Sequence, residues 1–221
     1  MKELGLLTIG QAPRFDFVSE IKGIIGEGYN IVEKGALDGL TYDEVKKFYP
    51  VGEDETLVTK MADGVSVKVA DKYIIPRLQD KIYEFEKQGI NVIYLACTGE
   101  FPPILSKALI IQPRKVLYHV VNSIADNLIL GILIPDENQV MTFKEIWSKV
   151  SKDAIIEVAS PYEDISQIEN ASYRLKQKGV DLVIMDCMGY SVDMKNIVAS
   201  IIGKPVINAK SITAKIIGDI I

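Results

Sequence analysis

The sequence predicts an α/β fold of two pseudo-symmetric lobes, each a parallel sheet flanked by helices. Three observations predict it. Apolar runs of strand length alternate with amphipathic stretches of helix length along the chain. The strand runs are almost continuously apolar, as in strands buried on both faces. Three pairs of segments also recur in the same order in the two halves, the mark of a doubled unit.

Taken in order, residues 4–9 form the first strand. Helix 14–25 follows, with Pro13 setting its start. Strand 30–33 comes next. Residues 35–70 are a surplus that the second half lacks. Within them, two β-rich runs flank Ala62-Asp63-Gly64, a hairpin signal, so an antiparallel β-hairpin insertion decorates the first lobe. Helix 73–88 stops at Gly89, a residue suited to the position just past a helix end. Strand 91–96 leads into Cys97-Thr98-Gly99, and strand 108–111 follows. Residues 112–127, with a helix over 116–127, carry the chain between lobes. The second half then reads strand 128–134, helix 142–150, strand 155–159, helix 163–178 stopping at Gly179, strand 181–186, Cys187-Met188-Gly189, helix 194–202, strand 204–208 and helix 211–221.

The repeat pairs Gly5-Leu6-Leu7-Thr8-Ile9 with Gly131-Ile132-Leu133-Ile134-Pro135, and Ala108-Leu109-Ile110-Ile111 with Lys204-Pro205-Val206-Ile207-Asn208. The middle pair is the most telling. Each member has a helix ending at Gly, an apolar strand, and then Cys-x-Gly.

Composition excludes several classes. The net charge is −5, and the 25 Lys and Arg form no basic block, so no nucleic-acid partner is expected. Glu53-Asp54-Glu55 reads as a solvated turn. No apolar run reaches the roughly 18–20 residues of a membrane helix, and the first residues lack the pattern of a signal peptide. No membrane partner and a cytoplasmic location are therefore expected. The two cysteines lie in no ligand pattern and the sole histidine is His119, so neither a disulfide framework nor a metal site is expected. If the chain assembles, a homodimer is the ordinary form.

The cysteines carry the chemical reading. Ligands of open parallel sheets bind at the carboxyl ends of strands. Cys97 and Cys187 both fall there, each followed two residues later by a glycine that lets backbone approach a ligand. A helix is expected soon after each, so that exposed N–H groups make an anion nest. Such cysteines often only pack, but two at equivalent places in a doubled unit point to a shared cleft. One thiolate removes a proton from a carbon beside a carboxylate, and the opposite thiol returns one to the other face. No cofactor is needed. The carbanion is stabilised by fixed N–H donors and desolvation.

These residues bring a resemblance into view. Thr8-Ile9-Gly10-Gln11-Ala12-Pro13-Arg14, Ile74-Ile75-Pro76-Arg77-Leu78-Gln79, Ala96-Cys97-Thr98-Gly99-Glu100-Phe101-Pro102 and Asp186-Cys187-Met188-Gly189-Tyr190 resemble the AroM family, within the aspartate/glutamate/hydantoin racemase superfamily. The resemblance implies a first lobe of residues 1–112 joined by the final helix 209–221, and a second lobe of 113–208. It implies a cofactor-independent site between them, with Cys97 and Cys187 as the acid/base pair. The substrate carboxylate is then held by Thr98, Gly99, Met188 and Gly189. Met188, Gly189 and Tyr190 after the second cysteine are closer to the hydantoin-racemase style than to amino-acid racemases.

Other residues have two readings each. Gly10 lies in the loop after the first strand. Arg14 in that loop either clamps a carboxylate or phosphate or is a solvated arginine of the first helical turn. Gln11 either binds ligand or caps that helix. In the second half, Gln139 is a weaker candidate to reach the cleft. Glu100 either assists proton transfer or sits at a helix N-terminus. Arg114 reaches the cleft or the lobe boundary, Asp186 points into the other face of its strand, and His119 and Trp147 pack. Tyr190 forms cleft wall. The leading expectation is a racemase or epimerase acting on a small carboxylate or hydantoin-like substrate. The rivals are a one-thiol decarboxylase or cis–trans isomerase on the same lobes, and a non-catalytic small-anion binding protein.

Overall fold

A computed structural model describes residues 2–26 and 28–221 of the chain. The strands are β1 (Lys2–Thr8), β2 (Tyr29–Gly35), β3 (Thr56–Lys60), β4 (Ser66–Ala70), β5 (Val92–Leu95), β6 (Leu109–Ile111), β7 (Leu130–Ile134), β8 (Ile155–Val158), β9 (Leu182–Met185) and β10 (Val206–Asn208). The helices are α1 (Phe15–Ile25), α2 (Tyr42–Val45), α3 (Asp71–Lys87), α4 (Pro113–Asn122), α5 (Val140–Ser148), α6 (Ile165–Gln177), α7 (Val192–Ile202) and α8 (Ala209–Ile220). The chain divides into two compact units. One runs to Pro113 and takes in Ile217–Ile221; the other is Arg114–Ile216. Residues of α8 are therefore divided between the two.

Each unit holds a four-stranded, wholly parallel sheet. The order is β2-β1-β5-β6 in the first and β8-β7-β9-β10 in the second. The orders correspond strand for strand. They contain the three repeated pairs (β1 with β7, β5 with β9, β6 with β10) and add a fourth, β2 with β8. The chain thus has the α/β fold of two matching lobes that its sequence predicts.

The repeat extends to packing. A Cβ on Gly5 would meet the Phe85 ring at 3.1 Å and Ile90 at 3.2 Å, and one on Gly131 would meet Leu175 at 3.0 Å and Val180 at 3.2 Å. In both units a strand glycine makes room for the last apolar residue of the helix that leads into the cysteine-bearing strand end, and for the residue after that helix's stop. Those stops, Gly89 (φ +80°) and Gly179 (φ +70°), adopt the left-handed conformation that ends a helix at least strain. The buried faces of α1 (Phe17, Ile21, Ile25) and α3 (Ile74, Leu78, Ile82, Phe85) follow helical spacing. A fully buried side chain such as Phe85 contributes about 1.5–3 kcal/mol.

The units differ in two places. The first carries the expected hairpin, with β3 and β4 antiparallel in a sheet of their own. Ahead of it stands the short α2, closed by a reciprocal cap between Thr41 and Glu44. The second difference corrects an expectation. No helix follows Cys97: residues 100–108 have no regular structure, whereas α7 follows Cys187. Pro102 and Pro103 explain this, because each lacks a backbone donor and holds the residue before it extended. Side chains of α3 replace the missing helical bonds. Gln79 binds both the N–H and the carbonyl of Leu105, and Glu86 accepts from Ser106 Oγ at 2.7 Å and Lys107 N at 2.6 Å. Glu100 is exposed and has no helix N-terminus to favour it.

Candidate functional site

Cys97 lies two residues beyond β5 and Cys187 two residues beyond β9, at corresponding strand ends. Neither is in a disulfide; Cys97 is half-buried and Cys187 buried. The local geometry of the two loops matches. Gly99 N–H donates to Cys97 Sγ at 3.2 Å, and Gly189 N–H donates to Cys187 Sγ at 3.4 Å. The residue between is buried in both loops, Thr98 in one and Met188 in the other. An N–H aimed at sulfur favours negative charge there, because it is a fixed donor that needs no reorientation when the thiol ionises. These two glycine N–H groups thus serve the thiols themselves, not only an outside anion.

The glycines are required by space. Neither has a backbone angle in the left-handed range. A Cβ on Gly99 would meet Leu57 at 2.9 Å and Phe101 at 3.2 Å, whereas one on Gly189 would meet the Tyr162 hydroxyl at 2.6 Å and Pro161 at 2.7 Å. The first loop therefore abuts apolar groups of the hairpin and the Pro-Pro segment, the second a phenol.

Asp186 is wholly buried. Its Oδ2 accepts from Arg114 Nη1 at 2.6 Å and from Trp147 Nε1 at 2.9 Å. The Arg114 guanidinium also lies 4.5 Å from the centre of the Phe143 ring. Arg114 thus pins α4 to the end of β9, and Trp147 brings α5 to the same carboxylate. Tyr190 is fully buried rather than cleft wall; its hydroxyl donates to Ala159 O at 2.7 Å. Burial, with the Cys187 thiol and Asp186 nearby, pushes this phenol well above its ordinary range, so it stays a neutral donor. Asn208 Nδ2 holds the Tyr190 carbonyl at 3.0 Å.

The loop after β1 departs from its expected roles. Gln11 neither caps α1 nor faces outward: its amide N–H groups donate to Leu37 O at 3.0 Å and Leu40 O at 2.7 Å, and its carbonyl accepts from Ala62 N–H. It ties the β1 loop to the β2 loop and to the hairpin turn. Gly10 serves the same junction, since a Cβ there would lie 2.3 Å from Lys60 O and 2.4 Å from Thr59 Oγ1. Arg14 is buried rather than solvated, and its guanidinium makes a two-point pair with Asp16 at 3.0 and 2.9 Å. Gln139 is buried at the start of α5. His119 is exposed on α4, edge-on to Tyr118, and not packed in the core.

Among the described residues, no three His, Cys, Asp or Glu side chains cluster as metal ligands, and no helix is long and apolar enough to cross a membrane. Surface grooves of about 430 and 520 Å³ lie in the first unit, and no cysteine lines either.

Comparison with known proteins now decides the family. The family model described as AroM protein matches residues 4–221. The chain belongs to the AroM family. No curated protein matches the sequence. Solved structures do. An allantoin racemase from Klebsiella pneumoniae is 12% identical with a TM-score of 0.61, over 100% of this chain and 87% of that one. An arylmalonate decarboxylase is 12% identical with a TM-score of 0.59, over 98% and 92%. A maleate isomerase from Pseudomonas putida S16 is 11% identical with a TM-score of 0.60, over 96% and 90%. This AroM chain therefore has the fold of the aspartate/glutamate racemase superfamily. At these identities the likeness is one of fold, and the same fold serves racemisation, decarboxylation and isomerisation.

Sequence reasoning missed Tyr162 and the Asp186–Arg114–Trp147 cluster. A signal existed for Tyr162, because Ser160-Pro161-Tyr162 follows a strand, β8, at its carboxyl end. None existed for the cluster, whose members are 72 and 39 positions apart.

Proposed function

We propose that this AroM protein is a cofactor-independent enzyme of racemase or epimerase type, acting on a small carboxylate or hydantoin-like substrate with Cys97 and Cys187 as proton carriers. The observation that carries this reading is the matched pair of strand-end thiols, each receiving the N–H of the glycine two residues on. In the reaction, one thiolate takes the proton from the substrate carbon and becomes a thiol, leaving a carbanion delocalised into the adjacent carbonyl. The other thiol gives its proton to that carbon and becomes the thiolate. Protons balance, and the enzyme ends ready for the reverse direction. Backbone donors of the Cys97–Gly99 and Cys187–Gly189 loops contribute to holding the developing oxyanion.

A second reading has its own support. The two thiols differ in exposure and in neighbours, with Leu57 and Phe101 at one loop and Tyr162 at the other. Such asymmetry suits a decarboxylase or cis–trans isomerase that uses one thiol. Proton NMR in deuterium oxide separates the readings, with a panel of D- and L-amino acids, hydantoins, 2-hydroxy acids and small dicarboxylates. The proposal expects α-proton exchange by the wild type and its loss, by at least about a hundredfold, in both Cys97→Ala and Cys187→Ala. Full exchange in both single variants would overturn it, and loss in one alone would favour the one-thiol enzyme. Ligand binding that survives both changes, without exchange, would mark a small-anion binding protein.

A further inference from the structure

The loop after β8 and the loop after β9 grip one another at two points. Tyr190, just past the Cys187 turn, donates its hydroxyl to Ala159 O at 2.7 Å. In return, the Tyr162 hydroxyl occupies the place where a side chain on residue 189 would begin, 2.6 Å from that position, with Pro161 beside it at 2.7 Å. Gly189 is free of left-handed backbone, so its lack of a side chain serves this fit alone. Its N–H is the group aimed at Cys187 Sγ. The three atoms nearest the corresponding position in the first unit belong instead to Leu57, Phe101 and Cys97. The phenol is thus a feature of the second thiol's loop that its counterpart lacks.

We propose that Tyr162 is a positioning residue for Cys187: its hydroxyl, seated against Gly189, holds the Cys187-Met188-Gly189 turn so that the glycine N–H stays on the sulfur. Cys187, Asp186 and Tyr162 of the β8 loop all lie close enough to the buried Tyr190 phenol to act on it, and Asp186 is held by Arg114 of α4. Tyr190 stays neutral, and the Asp186 carboxylate is paired with Arg114 and Trp147. Tyr162 is therefore the group whose removal alters the sulfur's surroundings without adding or deleting a charge.

The test needs no substrate, so it can fail while the proposed reaction stands. In chains carrying Cys97→Ser, the rate of Cys187 alkylation by iodoacetamide is followed against pH. Tyr162→Phe keeps the ring and removes the hydroxyl. Its alkylation profile is expected to move to higher pH by about half a unit or more, a roughly threefold loss of thiolate at fixed pH. Gly189→Ala, which drives a methyl group into the hydroxyl, is expected to disturb the profile, or folding itself as read by circular dichroism. Tyr162→Ala in the same chain is expected to remove part of that disturbance, Pro161 at 2.7 Å accounting for the rest. An unchanged profile in Tyr162→Phe would overturn the proposal. So would an effect of Gly189→Ala that is the same with and without Tyr162→Ala.

Discussion

Replacing Arg114 by Leu removes the countercharge of a carboxylate with no solvent exposure. In the native chain Asp186 Oδ2 holds two donors, Arg114 Nη1 at 2.6 Å and Trp147 Nε1 at 2.9 Å. Arg114→Leu leaves the indole as the remaining donor of that pair and conserves most of the side chain's volume. The expected loss is about 3–5 kcal/mol, the range for stranding one member of a buried ion pair. Loss of the guanidinium over Phe143 contributes within that figure. Urea unfolding followed by fluorescence measures it well, because Trp147 is the only tryptophan and sits at the cluster. A paired chain with both Arg114→Leu and Asp186→Asn checks the cause. It should recover part of the loss, since an amide is far less costly to bury than an uncompensated carboxylate. A loss below about 1 kcal/mol in the single variant, the scale of an exposed pair, would refute the reasoning.

Two further outcomes follow from other side chains. Gln11→Ala removes three hydrogen bonds that join the β1 loop, the β2 loop and the hairpin turn. At about 0.5–1.5 kcal/mol each, a loss of roughly 2–4 kcal/mol is expected by thermal melting, with faster amide exchange at residues 61–65. A loss under about 1 kcal/mol would show that these bonds are replaced by water. Burial works against the Glu157 carboxylate, yet Lys178 and Arg174 hold it below its ordinary 4.5. A carboxyl depressed in the folded state adds stability above its unfolded value, and that stability fades as pH falls through the folded one. Glu157→Gln should therefore lower stability at pH 7 and flatten its decline below about pH 4.5. An unaltered acid limb would assign that decline to other groups.

Much of the fold was legible because a doubled sequence states each feature twice. The strand glycines Gly5 and Gly131, the helix stops at Gly89 and Gly179 and the two Cys-x-Gly turns all recur at corresponding places. Local signals covered the hairpin too. What went unread had two causes. Some signals were local and overlooked: Thr41-Tyr42-Asp43-Glu44 is a capping pattern that starts α2, and Pro102-Pro103 forbids a helix after Cys97. Others were not local at all. Gln11 looks like a ligand-binding amide until the carbonyls of Leu37 and Leu40 are placed beside it. Arg114 and Asp186 look like two polar residues near separate strand ends until the sheet brings them together. The carboxylate that claims Arg14 is an exception, since Asp16 stands only two residues away.

The junction at Gly10 also constrains how this chain can vary. Its backbone runs so close to Lys60 that no side chain fits, and Gln11 gives its side-chain oxygen to the turn of an insertion that the second unit does without. A shortened relative lacking residues 42–70 would have neither the neighbour that excludes a Cβ at position 10 nor the N–H that Gln11 accepts. Selection at Gly10 would relax, and at Gln11 only in part, because the carbonyls of Leu37 and Leu40 still accept from its amide. In sequences of this type, the glycine after the first strand should therefore travel with the hairpin and disappear with it, whatever the fate of the cysteines.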